Sequence, residues 1–206
     1  MAAVDMAVRI ITDPEDWDGE LPALAVAAPA GVEERRALLR RLVARTLGRH
    51  LDAIAIAHEP GRAPRLVRPE GTGLLLSSAS REGFAALALA RSPVGVDVER
   101  VEPDRDPPWN VLHPAERRWL EDTPVAARAR AFARLWAVKE AYLKAVGTGL
   151  VRGSEFVHVA VPGDGTVSVR EAGIPVELAS FETWREFRDA SFAVCAIRLP
   201  IAGVSR

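Results

Sequence analysis

Two long stretches of the sequence carry apolar residues at steps of three and four, the spacing that brings side chains onto one face of an α-helix. The first covers residues 32–50 and is ended by Gly48 and the segment after it. The second covers residues 126–146, and Gly147 follows it as a plausible helix stop. The apolar positions that define the two stretches are Leu38, Leu39, Leu42, Val43, Leu47, Phe132, Leu135, Trp136, Leu143 and Val146. The pattern predicts one long helix in each half of the chain.

Strand-like runs bounded by turn residues follow each of these helices. The predicted strands are residues 54–58, 74–78, 84–90, 94–99, 156–161, 166–170, 176–180 and 192–199. A short helix is predicted over residues 113–122, because Pro114 suits a first helical turn. Residues 59–73, rich in Pro, Gly and Arg, predict a loop, and Gly163-Asp164-Gly165 predicts a turn. Helix followed by strands in each half predicts the α+β class.

A proline-rich segment separates the two halves. Residues 103–108 read Pro-Asp-Arg-Asp-Pro-Pro, and proline fixes φ and donates no backbone hydrogen bond. A chain of 206 residues is long enough for one large domain or two small lobes with a buried core. We therefore predict an N-terminal lobe over residues 1–103 and a C-terminal lobe over residues 104–206.

The net charge and the cysteine content indicate how the protein could attract charged partners and in which cellular compartment it works. The formal net charge is −1, so any attraction for phosphate or an acidic partner must come from a local patch. The one cysteine, Cys195, cannot form an internal disulfide, which favours a reducing compartment. The N-terminal region is acidic, and no apolar stretch approaches the roughly 18 residues of a membrane span. These features predict a cytoplasmic protein that does not enter a membrane.

The predicted strand at residues 94–99 carries two acids at alternate positions. Side chains alternate between strand faces, so the three valines would enter the core and Asp97 and Glu99 would point together to the other face, about 7 Å apart. Neighbouring carboxylates repel unless a cation neutralises them, and such hard oxygen ligands suit Mg²⁺. A solvated strand face is the other interpretation that this segment allows.

The long second helix carries Trp136, Glu140 and Lys144 on one face, with Lys139 beside them. A Glu followed by Lys four residues later is also a common surface pair, so this segment alone does not distinguish a functional site from a solvated helix face.

In the first long helix, Arg35 and Arg36 could clamp a phosphate through their planar donor forks. They could instead form a solvated face balanced by Glu33 and Glu34, or bind nucleic acid, although the chain lacks the net basicity expected for that.

Taken together, these segments resemble the 4′-phosphopantetheinyl transferase superfamily, in its two-lobed type that activates peptide and polyketide synthases and fatty-acid carriers. The resemblance rests on two motifs about forty residues apart, Val94-Gly95-Val96-Asp97-Val98-Glu99 and Leu135-Trp136-Ala137-Val138-Lys139-Glu140-Ala141-Tyr142-Leu143-Lys144. Gly147-Thr148-Gly149-Leu150, His113-Pro114-Ala115-Glu116 and Phe192-Ala193-Val194-Cys195-Ala196 resemble further segments of the family. The resemblance implies two similar α+β lobes related by a pseudo-twofold, each a helix packed on a small, largely antiparallel sheet, with the active site between them.

The resemblance also implies an activity, which is the Mg²⁺-dependent transfer of 4′-phosphopantetheine from coenzyme A to a serine of an acyl or peptidyl carrier protein. It implies Asp97, Glu99 and Glu140 as metal ligands, and Glu140, Lys144 and Glu116 as catalytic residues. The residues that it implies for coenzyme A are Arg36, Arg62, Ser77, Ser78, Lys139 and Lys144.

One departure from the family pattern bears on coenzyme A binding. The family's usual Ser-His pair corresponds here to Ser77-Ser78, and Ser78 carries no positive charge. Arg35, Arg36 or Arg81 could compensate for the missing histidine. The alternative is a degenerate relative that binds coenzyme A or a carrier without transfer. We expect a monomer, since both lobes lie in one chain, and no nucleic-acid partner.

Overall fold

A computed structural model describes residues 9–11, 17–28, 31–148, 153–162 and 166–201. The described helices are α1 (Val32–Thr46), α2 (Pro114–Asp122) and α3 (Val125–Val146). The described strands are β1 (Arg9–Ile11), β2 (Ala23–Ala27), β3 (Ala55–Ala57), β4 (Arg65–Arg68), β5 (Leu75–Arg81), β6 (Phe84–Ala90), β7 (Val94–Arg100), β8 (Val157–Ala160), β9 (Ser168–Glu171), β10 (Ile174–Pro175), β11 (Ala179–Phe187) and β12 (Ala190–Arg198). Short 3₁₀ turns lie at Leu51–Ala53, Trp109–Val111 and Ser154–Phe156.

The first sheet has the strand order β1-β2-β6-β5, in which the β1–β2 pair is parallel and the other pairs are antiparallel. Helix α1 covers one face of this sheet. Its apolar stripe, which includes Leu39, Leu42 and Val43, packs with Leu87 and Leu89 of β6. This is the helix that the spacing of apolar residues predicted.

The second sheet has the antiparallel order β11-β12-β7, and α3 packs across its outer face. Its inner face lies against the first sheet, because alternate residues of β7 share one buried cluster with β6 and β12. Those β7 residues are Val94, Val96 and Val98. The order of layers is therefore α1, first sheet, second sheet, α3. A smaller sheet, β10-β9-β8, extends the core beneath α3.

The predicted α+β class is confirmed, with each long helix on a small, largely antiparallel sheet. Two local predictions were wrong. Residues 65–68 form β4 and pair with β3, where a loop was predicted. The strand predicted at residues 176–180 is replaced by the short β10 and by β11, which runs from Ala179 to Phe187. The predicted turn at residues 163–165 lies outside the described residues, as do Gly149 and Leu150.

The predicted division at residues 103 and 104 stays a prediction. Strand β7 precedes that division, yet it pairs along its whole length with β12 in the C-terminal half. It also contacts β5, where Ser77 Oγ accepts a hydrogen bond from the amide of Val96 at 3.0 Å. Strand β7 thus connects the two halves. Among the described helices, none is long and apolar enough to span a membrane.

Candidate functional site

Strand β7 presents Gly95, Asp97 and Glu99 to the face that α3 covers, opposite its three buried valines. Helix and strand approach closely at Gly95. A Cβ added there would overlap the carbonyl oxygen of Ala141 and lie 2.5 Å from the amide nitrogen of Ala145. Only glycine fits this contact, and the contact places the end of α3 directly over the two acids.

Lys144 and Asp97 form an ion pair between the helix and the strand. Lys144 Nζ donates to Asp97 Oδ1 at 2.6 Å and to the carbonyl oxygen of Val96 at 3.2 Å. The Asp97 side chain is buried, whereas that of Lys144 is 28% exposed. The ammonium group therefore reaches the buried acid from a position that solvent can also reach.

Three carboxyl groups influence one another at this place. Burial raises the pKa of Glu99 to about 7, and the negative charges of Asp97 and Glu140 add to that increase. Burial also raises the pKa of Asp97, although Lys144 opposes the change. The pKa of Glu140 is raised by burial and then by Asp97. The structure thus brings the three predicted metal ligands into one acidic cluster, Asp97, Glu99 and Glu140.

The acidic cluster has unsatisfied oxygens. Asp97 Oδ2 and Glu140 Oε1 are both buried without a hydrogen-bond partner. A buried carboxylate oxygen in that condition is costly, and a hard divalent cation is the partner that such oxygens prefer. The residues present therefore fit Mg²⁺ in donor type and charge. Within the described ranges, no three His, Cys, Asp or Glu side chains already stand in the arrangement of a metal-binding group.

A pocket of about 550 Å³ opens beside the acidic cluster. Lys144 and Ala145 form its wall on the α3 side, and the segments around β4 and the start of β5 form the other walls. Its lining includes Pro64, Arg65, Leu74, Leu75 and Pro93. The pocket is mostly apolar, and Lys144 connects it to the carboxylates.

Comparison with known proteins identifies the family. The model of the 4′-phosphopantetheinyl transferase superfamily matches residues 93–195, half of the chain, and this segment contains β7, α3 and the whole acidic cluster. A holo-[acyl-carrier-protein] synthase of Geobacillus kaustophilus is 32% identical over 97 residues, which are 42% of this chain and 75% of that protein.

The chain belongs to the 4′-phosphopantetheinyl transferase superfamily.

Other relatives in this superfamily match different lengths of the chain. The 4′-phosphopantetheinyl transferase gsp of Aneurinibacillus migulanus is 36% identical over 68 residues, 32% of this chain and 29% of that protein. HetI of a Nostoc species is 25% identical over 173 residues, 82% of this chain and 69% of that protein. The chain thus spans less than a third of the first relative's length. A Bacillus anthracis holo-(acyl-carrier-protein) synthase structure in complex with CoA (3′,5′-ADP) has a TM-score of 0.39 and 20% identity, over 53% of this chain and 97% of that one.

Two residues that were expected in the functional site lie away from the pocket. Glu116 and Lys139 are both fully buried, and Lys139 Nζ donates to Glu116 Oε2 at 2.6 Å. Burial lowers the pKa of Lys139, although Glu116 opposes the change. Neither side chain has a surface that coenzyme A could touch, which speaks against the expected contact of Lys139 with phosphate and the expected catalytic role of Glu116.

Three other predicted coenzyme A residues have contacts of their own. The side chain of Arg62 is exposed and lies 3.5 Å from Glu59, and Arg65 is the arginine that lines the pocket. Ser77 is buried, and its hydroxyl oxygen accepts a hydrogen bond from the amide of Val96. Ser78 lies within β5, opposite Leu87 of β6.

Two arginines on α1 have a histidine close to them that the sequence did not single out. Arg36 donates to Glu33 at 2.8 Å, and Arg35 donates to Ser80 Oγ. Burial lowers the pKa of His58, and the nearby positive charges of Arg36 and Arg35 lower it further. His58 therefore lies close to both arginines. Nothing in the local sequence marks it, because it follows a three-residue strand and faces α1 only in the fold.

Proposed function

We propose that this protein transfers the 4′-phosphopantetheine moiety of coenzyme A to a serine of an acyl or peptidyl carrier protein and releases 3′,5′-ADP. One observation carries the proposal. The acidic cluster has two buried, unpartnered carboxylate oxygens, and it stands beside a lysine that also lines a pocket. Membership of the superfamily supports the same reaction.

In this proposal, Asp97, Glu99 and Glu140 hold Mg²⁺. When bound, the ion would neutralise the negative charge that develops on the diphosphate oxygens during the transfer. The protein's part is to hold the three acids close together despite their mutual repulsion. Their burial raises their pKa values and so favours a cation that would keep them ionised. The unsatisfied oxygens of Asp97 and Glu140 favour this role over that of a solvated strand face, in which water would reach them.

The pocket beside the cluster is the proposed coenzyme A site. Its apolar walls suit the uncharged parts of the coenzyme, and its two cationic lining residues, Arg65 and Lys144, suit phosphate oxygens. Arg35 and Arg36 form a second positive group, beside which the imidazole of His58 could donate a hydrogen bond, and this group could bind a further phosphate and compensate for Ser78. Because both halves of the chain line the pocket, we propose the two-lobed type, acting as a monomer.

The proposed reaction is a displacement at phosphorus. The carrier serine oxygen bonds to the β-phosphorus of coenzyme A, and the bond from that phosphorus to the bridging oxygen breaks. Glu140 accepts the serine proton, since Glu116 is buried away from the pocket. Lys144 stabilises the charge on the departing phosphate and returns a proton to it. The products are the modified carrier and 3′,5′-ADP.

Incubation with coenzyme A, Mg²⁺ and a panel of apo carrier proteins tests this function. Intact-mass spectrometry of each carrier should show the mass gain of one phosphopantetheine group, and chelation of Mg²⁺ should abolish it. Calorimetric binding of coenzyme A without mass gain on any carrier would instead support the degenerate binding protein. Absence of both binding and transfer would contradict the assignment of the pocket.

A further inference from the structure

The chain contains only two lysines, Lys139 and Lys144, against 25 arginines. Both lie on α3, but the fold gives them opposite environments. Lys144 is partly exposed and lines the pocket, whereas the Lys139 side chain is 0% exposed. The two positions therefore do not perform the same task, although both belong to one sequence motif.

Lys139 and Glu116 stand at a point where several elements meet. The oxygens of Glu116 accept three hydrogen bonds, from Lys139 Nζ at 2.6 Å, from the amide of Val159 in β8 at 2.7 Å and from the amide of His113 at 2.9 Å. Lys139 also donates to the carbonyl oxygen of Ser154 at 2.9 Å. The pair thus ties α3 to the start of α2, to the 3₁₀ turn before β8 and to β8 itself.

A buried ion pair is a poor source of stability, because removing both charges from water costs about as much as their attraction returns. Apolar residues of similar volume would hold these elements together equally well. An ion pair with several directed hydrogen bonds adds something else, which is one defined rotation of the helix about its axis. Residue 140 follows residue 139 directly, so fixing Lys139 fixes the direction in which Glu140 leaves α3.

We propose that Glu116 and Lys139 are positioning residues that hold Glu140 toward Asp97 and Glu99, and that neither touches coenzyme A. This inference rests on the proposed function, because it assigns the pair a task in the cation site of that reaction. Lys144 is then the only lysine that contacts the substrate.

The double variant Glu116→Gln/Lys139→Met tests the positioning role, because it removes both charges together and so leaves no buried charge without its counter-charge. The matched control is Arg134→Met/Glu182→Gln, which removes another ion pair of α3, 2.8 Å long, that lies away from the pocket lining. Mn²⁺ binding, followed by electron paramagnetic resonance of the free ion, is the readout that a purely structural role would leave unchanged. We expect about tenfold weaker Mn²⁺ binding in the Glu116/Lys139 variant and a change within about twofold in the control.

Equal Mn²⁺ binding by wild type and the folded Glu116/Lys139 variant would overturn the inference, as would equal weakening in both double variants. If the wild type modified no carrier while the Glu116/Lys139 variant alone lost Mn²⁺ affinity, the proposed function would fail and the positioning pair would stand.

Acetylation of the wild-type protein tests, without any substitution, whether Lys139 touches coenzyme A, and it keeps the inference open to refutation if the double variant does not fold. Peptide mass spectrometry can follow each of the two lysines separately. Lys144 should react and be protected by coenzyme A, whereas Lys139 should remain unmodified with or without it. Reaction of Lys139 at the rate of Lys144, with protection by coenzyme A, would overturn the inference.

Discussion

Lys144 Nζ lies 2.6 Å from Asp97 Oδ1, and the same lysine forms part of the pocket wall. One side chain thus belongs to both the acidic cluster and the proposed coenzyme site. Burial raises the pKa of Asp97, and the positive charge of Lys144 opposes that increase. Whatever binds in the pocket meets this charge beside the carboxylates.

Replacement of Lys144 by methionine should therefore reduce kcat/KM for coenzyme A by about 10²- to 10³-fold, the usual cost of losing one donor at a developing charge. Lys144→Arg keeps the charge in a wider, planar group and should recover part of the loss. Steady-state rates of carrier modification measure both variants. Activity of Lys144→Met within twofold of wild type would remove Lys144 from the reaction.

The close contact at Gly95 predicts a large effect on stability. An added Cβ meets backbone atoms of Ala141 and Ala145, which cannot move aside as a flexible side chain could. Gly95→Ala should therefore lower the free energy of unfolding by about 3 kcal/mol, at the upper end of ordinary overpacking. Denaturant titration measures this change.

Gly31 provides the matched control for that substitution. Its backbone is extended and nothing lies within 4 Å of an added Cβ. Gly31→Ala should cost less than about 1 kcal/mol, the scale of a weakened helix N-cap. Similar losses in the two alanine variants would mean that α3 and β7 are not in tight contact.

The raised pKa of Glu99 predicts how pH affects the metal-free protein. An acid whose pKa is higher in the folded state than in the unfolded state stabilises the fold at low pH, and this contribution is lost as pH rises through the folded pKa. For Glu99 the loss should occur between its ordinary pKa of 4.5 and about 7. Burial of Asp97 and Glu140 adds in the same direction.

Mg²⁺ should reverse this trend, since it binds the ionised carboxylates. The increase in Tm on adding Mg²⁺ should be larger at pH 8 than at pH 5, and Glu99→Gln should reduce the difference. Thermal unfolding in chelator and in Mg²⁺ across this range measures it. A Tm increase that did not depend on pH would show that the cation binds elsewhere.

Two nearby arginines should differ in their effect on coenzyme A. Arg65 lines the pocket, whereas Arg62 lies beside Glu59 outside it. Arg65→Ala should raise KM for coenzyme A about tenfold with kcat little changed, the pattern of lost ground-state binding. Arg62→Ala should stay within about twofold. The reverse order would restore the expectation, drawn from the family resemblance, that Arg62 binds coenzyme A.

The sequence predicted what depends on local spacing. The period of apolar residues placed α1 and α3, and the alternation along β7 separated its valines from Asp97 and Glu99. It missed β4, because the surrounding Pro, Gly and Arg residues are typical of a loop and only pairing with β3 makes that segment a strand. It also missed most of β11, whose side chains include many polar ones.

The sequence could not predict the partners of the two lysines, because those partners lie far away along the chain. Glu140 and Lys144 have the spacing of a helical surface pair, yet Lys144 pairs with Asp97 on a strand 47 residues away in sequence. Lys139 likewise pairs with Glu116, which is 23 residues away in sequence. Such partners depend on how the helices and sheets pack. The one available indication was composition, since a chain rich in arginine keeps lysine at these two positions only.

Asp97, Glu99 and Glu140 are proposed to cooperate in one cation-dependent reaction. The most direct test of that cooperation is the initial rate of carrier modification by Glu140→Gln at saturating Mg²⁺ and coenzyme A, beside wild type. Glutamine keeps the shape of the side chain but removes its charge, so we expect a loss of at least about 10²- to 10³-fold in a folded protein. Full activity of Glu140→Gln would contradict the assignment of the acidic cluster.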